Sequence, residues 1–109
     1  MESALEYLNH FQNKNIDGIK ELLTDDAELH DWDIHEIGKE DTIKAFKAIF
    51  KTFDTIEVDI KNTIESRDKS HVSVEMMIKL QSESSIEIKV VDLIQFEDGL
   101  IKSIRAYKQ

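Results

Sequence analysis

The rhythm of apolar residues changes near Asp54. Before it they recur at helical spacing, and after it they alternate with polar ones. Ala4, Leu5, Tyr7, Leu8 and Phe11 fall on one broad helical face, with Ser3 placed to cap that helix. After Asn13-Lys14-Asn15, a short second helix carries Ile19, Leu22 and Leu23, with Asp17 as its N-cap and Thr24-Asp25-Asp26 at its end. Residues 27–33 read as a short strand. Gly38 then breaks the chain before a third helix over about 40–53. There Ile43, Phe46, Ile49, Phe50 and Phe53 recur at the i, i+3, i+6, i+7, i+10 spacing of one helix face.

Downstream, Ile56, Val58 and Ile60 form one face of a strand, and Val72, Val74, Met76, Ile78 and Leu80 one face of the next. A third alternating run spans Ile86 to Phe96. Arg67-Asp68-Lys69-Ser70 and Ser82-Glu83-Ser84-Ser85 read as turns. Asp98-Gly99 reads as a tight hairpin into a last strand over about 100–108. Helices followed by a meander predict one α+β domain over residues 1–109, a curved sheet with helices on one face.

One position breaks the alternation. Ile86, Ile88, Val90, Asp92, Ile94 and Phe96 share a face, so a carboxylate stands among five apolar side chains. An unpaired charge is costly to bury. Asp92 is therefore expected to be protonated, to be paired (Lys108 is a candidate), or to stand at a pocket wall. The opposite face carries Met77, Val91, Leu93, Ile101 and Tyr107 among Glu75, Lys79, Lys89, Gln95 and Arg105. With helices on the Asp92 face, this second apolar stripe is left open, which predicts a homodimer through it.

The net charge of −9 is uneven: residues 1–41 hold 12 Asp/Glu and 3 Lys/Arg, and the remainder holds 11 of each. That argues against nucleic acid and anionic membrane surfaces as partners, since both require clustered cations. Without cysteine the chain has no disulfide or thiol chemistry. No apolar run approaches the roughly 20 residues of a membrane helix. The first residues lack a basic segment followed by an apolar one, so a cytoplasmic location is expected.

Two further side chains carry candidate chemistry. Tyr7 lies inside the apolar stripe of the first helix, and a buried phenol needs a partner for its hydroxyl. That partner is a backbone carbonyl or a ligand in a pocket. Asp31 shares strand phase with Ala27 and Leu29 and so leans inward, while His30 and Trp32 lean outward. It is a candidate proton acceptor, or part of an acidic surface turn with Asp33 and Glu36. On an extended chain Asp31, Asp33 and His35 would share a side, a set that suits a non-haem metal. Their spacing matches no metal signature, and neither a metal nor another cofactor is expected. His10 and His71 read as surface residues. There is no nucleophile elbow, P-loop or dinucleotide fingerprint.

The order of elements resembles the nuclear transport factor 2-like fold, and most closely its SnoaL-like and ketosteroid-isomerase-like members. The run from Asn15-Ile16-Asp17-Gly18 through Leu22-Leu23-Thr24-Asp25-Asp26-Ala27 is similar to one that recurs in that family between second helix and first strand, and Gly38–Phe46 is similar to its approach to the third helix. The resemblance implies a cone-shaped fold with a curved, mainly antiparallel sheet wrapped around the N-terminal helices. Carried over residue by residue, Tyr7 falls on the isomerase's helical tyrosine, Asp31 on its aspartate base and Asp92 on its neutral sheet acid. Trp32 replaces the family's proline after the base, Lys47 falls near a second tyrosine of some isomerases, and Lys108 replaces an aromatic that often lines the pocket. The implied activity is cofactor-free isomerisation or polyketide-cyclase-like cyclisation of a small hydrophobic carbonyl compound. Tyr7 and Asp92 would hold the oxyanion and Asp31 would shuttle the proton. Phe11, Phe46, Phe50, Met76, Ile94, Phe96 and Ala106 are the expected cavity residues. The alternative is a ligand-binding or protein-interaction domain without catalysis, because one fold hosts many functions.

Overall fold

The structure, a computed structural model, describes residues 1–109. Three helices, α1 (Glu2–Gln12), α2 (Ile16–Leu22) and α3 (Lys39–Thr52), combine with six strands: β1 (Leu23–His30), β2 (His35–Ile37), β3 (Thr55–Glu65), β4 (His71–Gln81), β5 (Ser85–Glu97) and β6 (Leu100–Lys108). The strands form a single sheet in the order β2-β1-β6-β5-β4-β3. Only the β1–β6 pair is parallel. This is the expected α+β architecture. No helix is long and apolar enough to cross a membrane.

α1 buries Ala4, Tyr7, Leu8 and Phe11, whereas Leu5 lies outside the buried stripe and is exposed. Ser3 is not the cap: the helix already starts at Glu2, and the Met1 amine pairs with Glu65 on β3 at 2.9 Å. The cap of α2 is Asn15, not Asp17, because the Asn15 Oδ1 accepts the Gly18 amide at 3.1 Å. Asp17 falls inside the first turn. Gly18 lets α1 and α2 close on each other, since a Cβ there would stand 2.5 Å from the His10 ring. His10 is thus half-buried against α2 rather than free on the surface. α3 buries Thr42, Ile43, Phe46 and Phe50 against the sheet.

Both residues of the Asp98-Gly99 turn have positive φ (52° and 81°), as a primed two-residue hairpin requires. At the β3–β4 turn the Asp68 Oδ1 accepts bonds from the Ser70 amide and from the Ser66 and Ser70 hydroxyls. Those bonds hold its carboxyl down at about 2.

Four local expectations are corrected. Leu23 does not extend α2 but starts β1, buried and paired with Ile101. Ile101 in turn leaves the outer stripe for the core. The β5–β6 register shifts between Gln95 and Phe96, and this bulge rotates the start of β6 so that Ile101 points inward. β1 ends at His30, and the chain turns through 31–34 into the three-residue β2. Alternation therefore stops before Trp32, which swings to the helix side of the sheet instead of outward. The outer face keeps Met77, Val91, Leu93 and Tyr107, and it gains Ile64, which shares the Ser73–Leu93 row.

Candidate active site

Tyr7 is fixed by its own helix and by α3. Its ring meets Phe11 one turn later at 6.2 Å and Phe46 edge-on at 5.9 Å, with Phe50 behind Phe11 at 5.6 Å. Only 3% of Tyr7 is exposed, yet its hydroxyl makes no hydrogen bond to the protein. No fully buried side-chain oxygen lacks a partner, so the hydroxyl keeps its remaining surface toward the adjoining cavity. Asp92, at 5% exposure, meets the same description. In β5 it pairs with Val74 on β4 and Ala106 on β6, neither of which can share its proton. Lys108 does not pair with it but stands over the Trp32 ring, 5.0 Å from the ring centre.

Asp31 comes from the β1–β2 hairpin. Its Oδ1 accepts the amides of Asp33 (2.7 Å) and Ile34 (2.6 Å), and its own amide donates to the Ile34 carbonyl at 2.8 Å. This Asx turn fixes the carboxylate by one oxygen and leaves Oδ2 without a protein hydrogen bond. The turn alternative for Asp31 is therefore formed at residues 31–34.

Tyr7, Asp31 and Asp92 line one cavity of about 360 Å³ between the helices and the inner face of the sheet. Sixteen of its twenty lining residues are hydrophobic, and the other four are Asp31, Asp33, Asp92 and Lys108. An apolar hollow with a few convergent polar groups is the usual form of a small-molecule site. Burial, and then the charge of Asp31, pushes the Asp92 carboxyl up to about 7. Burial, followed by the charges of Asp92 and Asp31, holds the Tyr7 phenol well above its ordinary value. Near neutral pH the hollow thus holds a phenol and an acid that keeps about half of its proton population, with the Asp31 carboxyl on the same lining.

Of the expected lining residues, Phe11, Phe46 and Ala106 reach the cavity and Phe50, Met76, Ile94 and Phe96 do not. Leu23 packs beside Ile101 at the Phe96 end of the sheet, so the open space lies toward the other end of β5. Ile86 and Ile88 line it there, beside Ile78 and Leu80 of β4 and Ile49 and Phe53 of α3. The phase shared by Ile86, Ile88 and Asp92 is visible in the sequence. The turn that delivers Trp32 and Ile34 is not.

The Asp31, Asp33, His35 set does not form. Asp31 and Asp33 line the cavity, while His35 stacks on His30 (4.1 Å, 10° between planes) and approaches Glu28 at 3.7 Å. The donor atoms of Glu28, His30 and His35 lie within 4.8 Å of one another on the surface of β1 and β2. Lys47 lines no part of the cavity.

The SnoaL-like domain family matches residues 4–104, nearly the whole chain. The chain belongs to the SnoaL-like family. No curated protein matches it in sequence. Among solved structures, an LEH-like epoxide hydrolase of M. tuberculosis is 21% identical with a TM-score of 0.85, over 99% of this chain and 80% of that one. A protein assigned as a SnoaL-like polyketide cyclase from Jannaschia sp. is 18% identical (TM-score 0.85, 99% and 83% covered). A protein of ketosteroid isomerase-like fold from Catenulispora acidiphila, in complex with trimethylamine, is 14% identical (TM-score 0.86, 97% and 84% covered). At these identities the likeness is one of fold, and it agrees with the nuclear transport factor 2-like architecture expected of the sequence.

Proposed function

We propose that this SnoaL-like protein is a cofactor-independent proton-transfer enzyme acting on a small hydrophobic carbonyl compound. The observation that carries the reading is one apolar hollow that receives the Tyr7 hydroxyl and the carboxyls of Asp31 and Asp92, the latter raised to about 7 by burial and by the Asp31 charge. The carbonyl oxygen of the ligand would accept hydrogen bonds from Tyr7 and from protonated Asp92. Asp31 would take a proton from the adjacent carbon, and the negative charge would move onto the oxygen, where both donors strengthen their hold. Return of the proton to a different carbon completes an isomerisation. Attack of the enolate carbon on a second carbonyl of the same molecule, followed by protonation, completes a cyclisation. Both routes restore Asp31 to its carboxylate form.

The test is exchange of α-protons for deuterium in a panel of aryl ketones and β-keto esters, followed by NMR. General base catalysis contributes about 10²- to 10⁴-fold, so Asp31→Asn should slow exchange by at least 100-fold. Equal exchange with both proteins would end the base assignment. A second reading, ligand binding without turnover, draws on the turn-forming bonds of the Asp31 Oδ1; saturable binding with background exchange would select it.

The protein is further proposed to act as a cytoplasmic homodimer, with copies facing each other across Met77, Val91, Leu93, Tyr107 and Ile64 on the outer sheet face. Exposure of 37% for Val91, 57% for Tyr107 and 63% for Ile64 supports this, since contiguous exposed apolar groups mark partner surfaces.

A further inference from the structure

The cavity has two unlike ends. Tyr7, Phe46 and Asp92 at one end are buried, whereas Trp32 (40% exposed), Ile86 (48% exposed) and Lys108 open the other to solvent. Lys108 is the one cation among the lining residues, in a chain of net charge −9. It takes part in none of the ion pairs of the structure, although Asp31 and Asp33 line the same cavity. Its ammonium group instead lies 5.0 Å from the centre of the Trp32 ring, a cation–π contact that holds the charge at the mouth and leaves its N–H donors free of carboxylates.

The strand register sets the spacing between the two ends. Ala106 pairs with Asp92, and Lys108 is the next residue of β6 on the same face. Two residues of strand span about 7 Å. A ligand that gives its carbonyl oxygen to Asp92 can therefore bring a group several bonds farther along its length to the Lys108 ammonium.

We propose that the ligand is an apolar keto acid, bound with its ketone at the Tyr7–Asp92 end and its remote carboxylate at the mouth, where Lys108 receives the charge and the Trp32 ring flanks it. This rests on the carbonyl reading above and adds the anionic tail as its specificity determinant. Lys108 is a binding residue in this arrangement and takes no part in proton transfer.

Trp32 is the only tryptophan, so its fluorescence reports the mouth directly. The probes are 5-oxo-5-phenylpentanoate and its methyl ester, titrated into the wild type, Lys108→Met and Lys108→Glu. The wild type should bind the acid about three- to tenfold more tightly than the ester, the range for a partly solvated charge pair. The preference should shrink as salt is raised. Lys108→Met should abolish the preference for acid over ester, and Lys108→Glu should reverse it. Because Lys108 is exposed, unchanged melting temperatures are expected for both variants and would show that they are folded. Equal binding of acid and ester by the wild type, or a preference retained in Lys108→Met, would overturn the anionic tail while leaving the carbonyl reading intact. Binding of neither probe would overturn both.

Discussion

Asp92 and Ala106 lie directly opposite each other in the β5–β6 ladder, and both line the cavity, where Ala106 contributes only a methyl beside the Asp92 carboxyl. Directly opposed side chains are the nearest neighbours on a sheet face. Replacing Ala106 by leucine should cover the acid and fill that part of the hollow. Probe affinity should fall at least tenfold in a Trp32 fluorescence titration, with the melting temperature unchanged within a few degrees because the added carbons enter open space. Undiminished affinity would mean that ligands do not reach Asp92.

The proton held by Asp92 makes folding depend on pH. Its folded value, about 7, is raised from 3.8, so the folded state binds more protons than the unfolded state between those values. Stability contributed by the protonated group is fully present below about 4 and is lost as pH rises to about 7, after which the curve flattens. The shift corresponds to about 4 kcal/mol as an upper figure. Asp92→Asn should remove this slope and be more stable than the wild type at pH 8. Denaturant melts of the two proteins across pH 4–9 measure the difference, in which the other carboxylates cancel. Parallel curves would mean that Asp92 titrates normally. On the same grounds, any exchange activity should decline above about pH 7 as Asp92 loses the proton it donates.

Asp31 holds a turn and is the proposed base, two roles that substitution can separate. Asparagine keeps an Oδ1 able to accept the Asp33 and Ile34 amides, whereas alanine leaves both without that partner. Asp31→Asn should retain the wild-type melting temperature and lose activity. Asp31→Ala should lose activity and also about 1–2 kcal/mol of stability. Equal stability of the two variants would show that the turn does not depend on this side chain.

On the outer face, Leu93 sits in a cross-strand row with Ser73 and Arg105, beside Val91 and Tyr107. Leu93→Asp should give a monomer in sedimentation while remaining folded, because its side chain points away from the core. An unchanged mass relative to the wild type would remove this face from the assembly.

The sequence carried the fold wherever one periodicity ran uninterrupted. The long alternation of β4 and β5 and the heptad-like spacing of α3 each bury one face, and that face can be read off directly. Asp92 was legible for the same reason, as a polar residue in an apolar phase. Failures came where one residue resets the phase. The β5–β6 bulge sent Ile101 inward, and the Asx turn at Asp31 ended β1 early, created the three-residue β2 and brought Trp32 to the cavity. Register shifts and side-chain-to-backbone turn bonds leave little trace in hydropathy. The lining residues Ile49, Phe53, Ile78 and Leu80 belong to faces the pattern identified, but where a hollow opens along a face depends on what fills the opposite end, here Leu23 against Ile101.

Everything proposed for the site requires a carboxylic acid that keeps its proton near neutral pH beside a second carboxyl. The most direct measurement is the carboxyl carbon NMR titration of Asp92, assigned with Asp92→Asn and repeated in Asp31→Asn. A midpoint of about 7 that moves down when the Asp31 charge is removed is the expected result. A midpoint near 4 in both proteins would contradict it.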